Sequence, residues 1–224
     1  MSKCVEKLPH RTDKCNSADG LQVFLEDGKY TGYCFSCGTY VPNPYQDKPE
    51  GYKPEIRIKS PEEIQAQLDE IGDCPVVDLP ERKLKKESLA YFGVKIGLSE
   101  QDGVTPETHY YPYTKGGQVV GYKVRLIADK RMWAVGNTKG ADLFGWEQAS
   151  VTGAKSLYIT EGELDAVALY QIFKDHNKGT PYADFHPAVV SLANGSGGAV
   201  KDITSKLTEI RRQFKQIVLV FDSD

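Results

Sequence analysis

The sequence predicts an α/β protein, α+β overall, that begins with a small metal-held β-ribbon and ends in a Rossmann-like parallel sheet. Two observations carry this. Between Ser156 and Asp224, short β-rich runs alternate with amphipathic helical stretches, the pattern of βαβ units on a parallel sheet. Near the other end, Cys34-Phe-Ser-Cys37-Gly38 has the spacing of a zinc-ribbon knuckle, two thiolates presented to one ion from a tight turn.

Residues 1–41 are the expected zinc-binding ribbon. Leu21–Leu25 and Tyr30–Tyr33 flank Glu26-Asp-Gly-Lys29, which reads as a hairpin. Structural zinc takes four ligands, and His10, Cys15, Cys34 and Cys37 are the preferred set, with Cys4 the alternative to His10 as first ligand. Five cysteines, an odd number without a signal peptide, argue for a reducing compartment and metal binding rather than disulfides. A redox Cys-x-x-Cys would open a helix after a strand, whereas this one closes a hairpin and runs into Pro42. So small a segment holds little core, and a metal would supply much of its folding free energy. Phe24, Tyr30, Tyr33 and Phe35 give the ribbon rings on which unpaired bases can stack.

Residues 42–60 are expected to be a flexible linker, because Pro42, Pro44, Pro49 and Pro54 oppose regular structure. Residues 61–150 are expected to form an N-terminal subdomain of mixed composition. Ser60-Pro-Glu-Glu63 is a capping box with proline at the first helical position, and Ile64, Leu68 and Ile71 give that helix one apolar stripe. Leu84–Phe92 reads as a short helix stopped by Gly93, among the basic residues Arg82, Lys83, Lys85, Lys86 and Lys95, which form either a solvated face or a phosphate contact. Tyr110–Tyr113 and Val119–Leu126 flank a Gly-Gly turn. The second of these strands puts Tyr122, Val124 and Leu126 on one face and Lys123 and Arg125 on the other.

Residues 151–224 make the parallel sheet. Ser156-Leu-Tyr-Ile-Thr-Glu161 is a strand ending on a carboxylate, followed by Gly162 and a helix over Leu164–Phe173 with Asp165 in its first turn. Ala188–Asn194 is a second strand, and Gly195-Ser-Gly-Gly198 follows it. Val200, Ile203, Leu207, Ile210 and Phe214 then trace one helix face. Ile217–Phe221, continuously apolar, reads as a strand buried on both faces, and it stops at Asp222-Ser-Asp224. In open parallel sheets, functional groups gather beyond the carboxyl ends of the strands, which is where Glu161, Asp222 and Asp224 fall. Carboxylates roughly 5 Å apart repel by about 3 kcal/mol per pair at an effective dielectric of 20. A hard divalent cation, Mg²⁺ above all, relieves this.

Leu157–Leu169 with Ile217–Asp224 resembles the Toprim domain of primases and topoisomerases. Asp19-Gly20, Val23-Phe24, Asp27-Gly28 and Tyr33–Cys37 resemble the zinc domain of phage primases, with His10-x₄-Cys15 standing where phage relatives often have Cys-x-x-Cys. Gly121–Arg125 and Thr138–Gly145 resemble stretches of the phage primase polymerase domain. Together these narrow the resemblance to the primase half of T7-like phage primase-helicases. It implies a Toprim subdomain over 151–224 that continues further in the family, so that a truncated sheet is expected here. It implies Glu161, Asp222 and Asp224 as the Mg²⁺ site, with Asp165 as a further catalytic acid. It implies Lys123, Arg125, Lys139, Asn194 and Gly195 as nucleotide- or template-binding residues.

The function implied is a DNA-dependent RNA primase of phage replication in the cytoplasm of an infected bacterium. Its cofactors would be structural Zn²⁺ and catalytic Mg²⁺. Its partners would be a single-stranded DNA template, ribonucleoside triphosphates, a replicative helicase fused downstream, and a DNA polymerase. The alternatives are a single-stranded DNA-binding module on an inactive Toprim scaffold, and a Toprim nuclease. The net charge of −3 does not by itself favour nucleic acid, so positive charge must be concentrated locally. No apolar run approaches membrane length, and no Gly-x₄-Gly-Lys-Ser/Thr occurs in these 224 residues.

Overall fold

A computed structural model describes residues 3–46, 52, 59–193 and 195–222. The chain divides into two compact units, residues 1–59 and 60–224.

The first unit is a four-stranded antiparallel meander: β1 (Lys3–Thr12), β2 (Cys15–Glu26), β3 (Lys29–Cys34) and β4 (Thr39–Val41), in that spatial order. The expected hairpin is its centre. Glu26 pairs with Lys29 across Asp27 and Gly28, both with φ above 0, the two-residue turn whose twist matches that of the strands. β1 and β4 extend the pair on either side, and β1 carries two register shifts, one spanning Pro9. Leu21 and Val23 are buried on one face. After β4 the chain folds back, burying Tyr45, whose hydroxyl donates to Glu6 Oε2 at 2.8 Å and whose ring meets Tyr30 edge-on.

The second unit holds two sheets. Helix α1 (Pro61–Asp73) starts with the capping box read from the sequence: Ser60 Oγ accepts from Glu63 N, and the Glu63 carboxylate accepts from Ser60 N. Such caps contribute about 0.5–2 kcal/mol. The Leu68 and Ile71 stripe packs on Tyr122 and Val124. A 3₁₀ turn (Pro80–Arg82) and α2 (Lys86–Tyr91) lead to an antiparallel sheet of β5 (Lys95–Leu98), β6 (Pro106–Lys115), β7 (Gln118–Leu126) and β8 (Met132–Gly136). Then come α3 (Trp146–Val151), β9 (Ser156–Thr160), α4 (Glu163–Asn177), β10 (Ala188–Ser191), a 3₁₀ turn (Ser196–Gly198), α5 (Ala199–Gln213) and β11 (Gln216–Val220). The last three strands are parallel, in the order β10-β9-β11.

Period-2 alternation sorts the parallel sheet between two cores. Leu157, Ile159, Ala188 and Val190 face Trp146, Ile210 and Phe214 of α3 and the α5 segment. Val189, with the half-buried Tyr158, faces a core of Ala166, Val167 and Tyr170 from α4, Leu89 and Phe92 from α2, and Tyr111 and Tyr113 from β6. The two sheets thus share α2 and α4 as a common filling. Gly145 is tied to this junction: at φ 80 it lies so near Phe92 and the Val189 carbonyl that a Cβ would come within 2.7 and 2.9 Å of them.

One expectation is corrected. Among the described residues β11 pairs with β9 alone, and Ile217, Leu219 and Val220 are exposed instead of buried on both faces. An uninterrupted apolar run specifies a strand but not how many neighbours cover it.

Candidate functional site

In the first unit, one ligand comes from each of four backbone positions. His10 lies near the end of β1, Cys15 opens β2, Cys34 closes β3, and Cys37 stands in the turn before β4. That turn is set by Gly38, at φ 72, whose N–H donates to the Cys34 carbonyl. One ligand atom from each of the four residues lies within 4.8 Å of every other. Cys15 Sγ and Cys34 Sγ are 3.8 Å apart, and Cys37 Sγ is 3.4 Å from His10 Nδ1. A tetrahedron with Zn–S near 2.3 Å and Zn–N near 2.0 Å has edges of about 3.8 Å and about 3.5 Å. The set therefore fits a zinc-sized ion. The Thr39 hydroxyl beside Cys37 pulls its thiol down to about 6, which favours the thiolate. The alternative ligand Cys4 is excluded by position: it pairs with Phe24 up the sheet, and its thiol turns to the Glu6 carbonyl. Beside the knuckle, Tyr33, Phe35 and Tyr40 are exposed, with Tyr33 and Tyr40 cross-strand partners and Tyr33 and Phe35 edge to face at 4.9 Å. Tyr40 was not singled out from the sequence, where one aromatic after a Cys-Gly turn carries no signal.

In the second unit, Glu161 follows β9 and Asp222 follows β11, at the carboxyl ends of adjacent parallel strands. Asp165, in the first turn of α4, accepts from Gly162 N. Its carboxyl is pushed above the usual range, first by partial burial and then by the negative charge of Asp222, Glu163 and Glu161. Asp165 is thus within electrostatic reach of both Glu161 and Asp222. Gly195, at φ 64, packs against Glu161: a Cβ there would stand 3.6 Å from Glu161 Oε1. Asn194 and Asp224 lie outside the described residues.

A cleft of about 520 Å³, lined by residues of β7, β8 and α5 with Asp202 among them, adjoins Glu163 through Lys123. Lys123, Lys139 and Lys201 bring positive charge to it, and Trp133 lines its wall. Lys139 lies on the loop between β8 and α3. Lys206 ties that loop down, its Nζ 2.6 Å from Asp142 and 2.7 Å from Glu209, with the Trp146 ring beneath. Lys123, expected to bind phosphate, lines this cleft. Its Nζ donates to Glu163 Oε1 at 2.8 Å and to the Ala193 carbonyl at 3.1 Å, so it braces both strand-end loops at once. Glu163, only 5% exposed, also accepts from the Tyr113 hydroxyl. Neither Glu163 nor Tyr113 was identified from the sequence, because their pairing spans fifty residues. Arg125, two residues from Lys123 on the same strand face, is the cross-strand partner of His109.

No family model matches the chain. The DNA helicase/primase of Enterobacteria phage T3 is 28% identical to it over 214 residues, 95% of this chain. The chain spans about a third of that relative's length, 34%. Among solved structures, the primase fragment of the bacteriophage T7 primase-helicase protein superimposes with a TM-score of 0.54 at 28% identity. That match covers 99% of this chain and 81% of the fragment. Along nearly its whole length, then, the chain is similar in sequence and in fold to the primase half of a phage primase-helicase.

Proposed function

We propose that this chain is a DNA-dependent RNA primase, joining ribonucleotides on a single-stranded DNA template. The observation that carries the reading is Glu161 and Asp222 at the ends of adjacent parallel strands, with Asp165 in the first turn of the helix after Glu161, joined through Glu163 to the Lys123 of a lysine-lined cleft. A chain of net charge −3 concentrates positive charge where phosphates would lie.

In this reading the 3′-hydroxyl of one nucleotide attacks the α-phosphate of the next, and pyrophosphate leaves. Lys139 and Lys201 hold the triphosphate and template backbone by charge. Lys123 keeps the loops carrying Glu161 and Gly195 in fixed relation. Glu161 accepts the proton of the attacking hydroxyl. Oxygen donors of Glu161 and Asp222, joined by Asp224, suit Mg²⁺, which when bound neutralises charge on the phosphate oxygens. His10, Cys15, Cys34 and Cys37 hold Zn²⁺ as a structural ion. The ribbon's exposed rings stack unpaired template bases, and a helicase and a DNA polymerase are the partners in phage replication.

The test is incubation with ribonucleoside triphosphates, Mg²⁺ and single-stranded DNA. Labelled short oligoribonucleotides support the reading; shortened DNA would instead make the chain a nuclease, and no product a binding scaffold. Glu161→Gln and Asp222→Asn should each lower synthesis at least a hundredfold. Their melting temperatures should stay level or rise, because each removes one of several mutually repelling charges. Comparable turnover without these acids would eliminate the site.

A further inference from the structure

Three elements converge on the backbone of Ala193. The residue before it still belongs to the parallel sheet: the Leu192 N–H donates to the Thr160 carbonyl at 3.2 Å. Past β10 side chains take over from the ladder. The Ala193 N–H donates to Asp202 Oδ2 at 3.0 Å, in the first turn of α5. The Ala193 carbonyl accepts from Lys123 Nζ at 3.1 Å, from β7. Two residues on, Gly195 turns at φ 64 and lies against the candidate catalytic acid, where a Cβ would stand 3.6 Å from Glu161 Oε1.

Asp202 is 8% exposed. A carboxylate taken that far from water keeps its charge only where donors meet it. In return, a charged acceptor holds a backbone N–H about twice as strongly as a neutral one. The bond spans nine residues and draws α5 back onto the end of β10, across the 3₁₀ turn Ser196–Gly198. On the other side of Ala193, Lys123 also donates to Glu163 Oε1, two residues past Glu161. The turn carrying Gly195 is therefore anchored twice, to α5 by Asp202 and to the segment of Glu161 by Lys123. Losing Lys123 would loosen both anchored segments, whereas losing Asp202 would release the Gly195 turn alone.

We propose that Asp202 is a positioning residue for Glu161: by holding Ala193 it keeps Gly195 packed on the Glu161 carboxylate and sets where that carboxylate stands. It acts through Ala193, although it also lines the lysine-bearing cleft. That Glu161 serves primer synthesis rests on the primase reading above; the run of contacts from Asp202 to Glu161 does not.

The experiment uses the full chain with Asp202→Ala, Asp202→Asn and Asp202→Glu, each studied below its melting temperature. Two readouts are taken: kcat and KM for ribonucleoside triphosphates with Mg²⁺ on single-stranded DNA, and the Ala193 and Gly195 amide signals by ¹H–¹⁵N NMR without metal or nucleotide. A reacting group displaced by about 1 Å can cost a hundredfold in rate. Asp202→Ala should therefore lower kcat by about ten- to a hundredfold and leave KM within about twofold, because the lost bond acts on the reacting geometry and not on nucleotide binding. Its Ala193 amide should exchange with solvent about tenfold faster, and the Gly195 signal should move with it. Asp202→Asn keeps an acceptor oxygen in place and should recover most of kcat and of both signals. Asp202→Glu keeps the charge but displaces the acceptor, and should recover less. A glutamate variant more active than the asparagine one, or a rise in KM at constant kcat, would overturn the proposal, since charge or nucleotide contact would then be the role. An Ala193 signal that moves while Gly195 and kcat stay put would also overturn it, leaving a brace that does not reach Glu161. A wild-type chain that makes no primers, yet shows the Gly195 shift in Asp202→Ala, would remove the primase reading and leave the positioning intact. Primer synthesis at wild-type kcat in Asp202→Ala would do the reverse.

Discussion

Glu163 is nearly inaccessible, and it stays in place because Tyr113 and Lys123 donate to the same carboxylate oxygen. Burial has the opposite consequence at His109. Burial, and then the charges of Arg125 and Arg82, push its imidazole down to about 4 from an ordinary 6.5. Between those values the unfolded chain takes up a proton that the folded chain refuses. The stability this histidine contributes is therefore complete above pH 6.5 and drains away as pH falls towards 4. The limit is about 3 kcal/mol at 1.36 kcal/mol per unit. Replacing His109 by Phe should flatten the melting temperature across that window. Thermal unfolding of both proteins from pH 4 to 7 checks this, and parallel curves would refute it.

At the scale of elements, the four candidate metal ligands come from three strands and a turn of a sheet with few buried side chains. The Cys34→Ser, Cys37→Ser double variant should lose its ion and melt the ribbon, while the transition of the 60–224 unit is unmoved. Zinc analysis with two-probe thermal unfolding reads both; full zinc retention would undo the ligand assignment. These elements also show what a sequence makes legible. Ser60/Glu63 and Asp27-Gly28 were readable because their partners lie within four residues, and the Cys-x-x-Cys because its spacing is the geometry. β1 was not read as a strand: Pro9 and two register shifts break its alternation. β11 was read as a strand from its apolar run, but which neighbours cover it depends on chain distant from it. The acids after β9 and β11 were found from strand ends alone. The bonds of Lys123 were not, because Glu163 and Ala193 reach it through tertiary packing.

For the molecule as a whole, two units with separate cores divide the proposed work. On defined single-stranded templates, the same double-cysteine variant should lose synthesis at specific template sites while forming low levels of unspecific dinucleotide. Product length and start-site mapping measure this. Unchanged start sites would show that the ribbon does not read the template.

The spatial order of β1 to β4 repeats their order in the chain, so every pairing closes only a short loop. The 60–224 unit lacks this property, because β11 must find β9 across two helices and an intervening strand. At translation rates of roughly 5–20 residues per second, Cys37 leaves the ribosome about ten seconds or more before Asp222 exists. The ribbon can therefore pair its strands and bring His10, Cys15, Cys34 and Cys37 together while the rest of the chain is still being made.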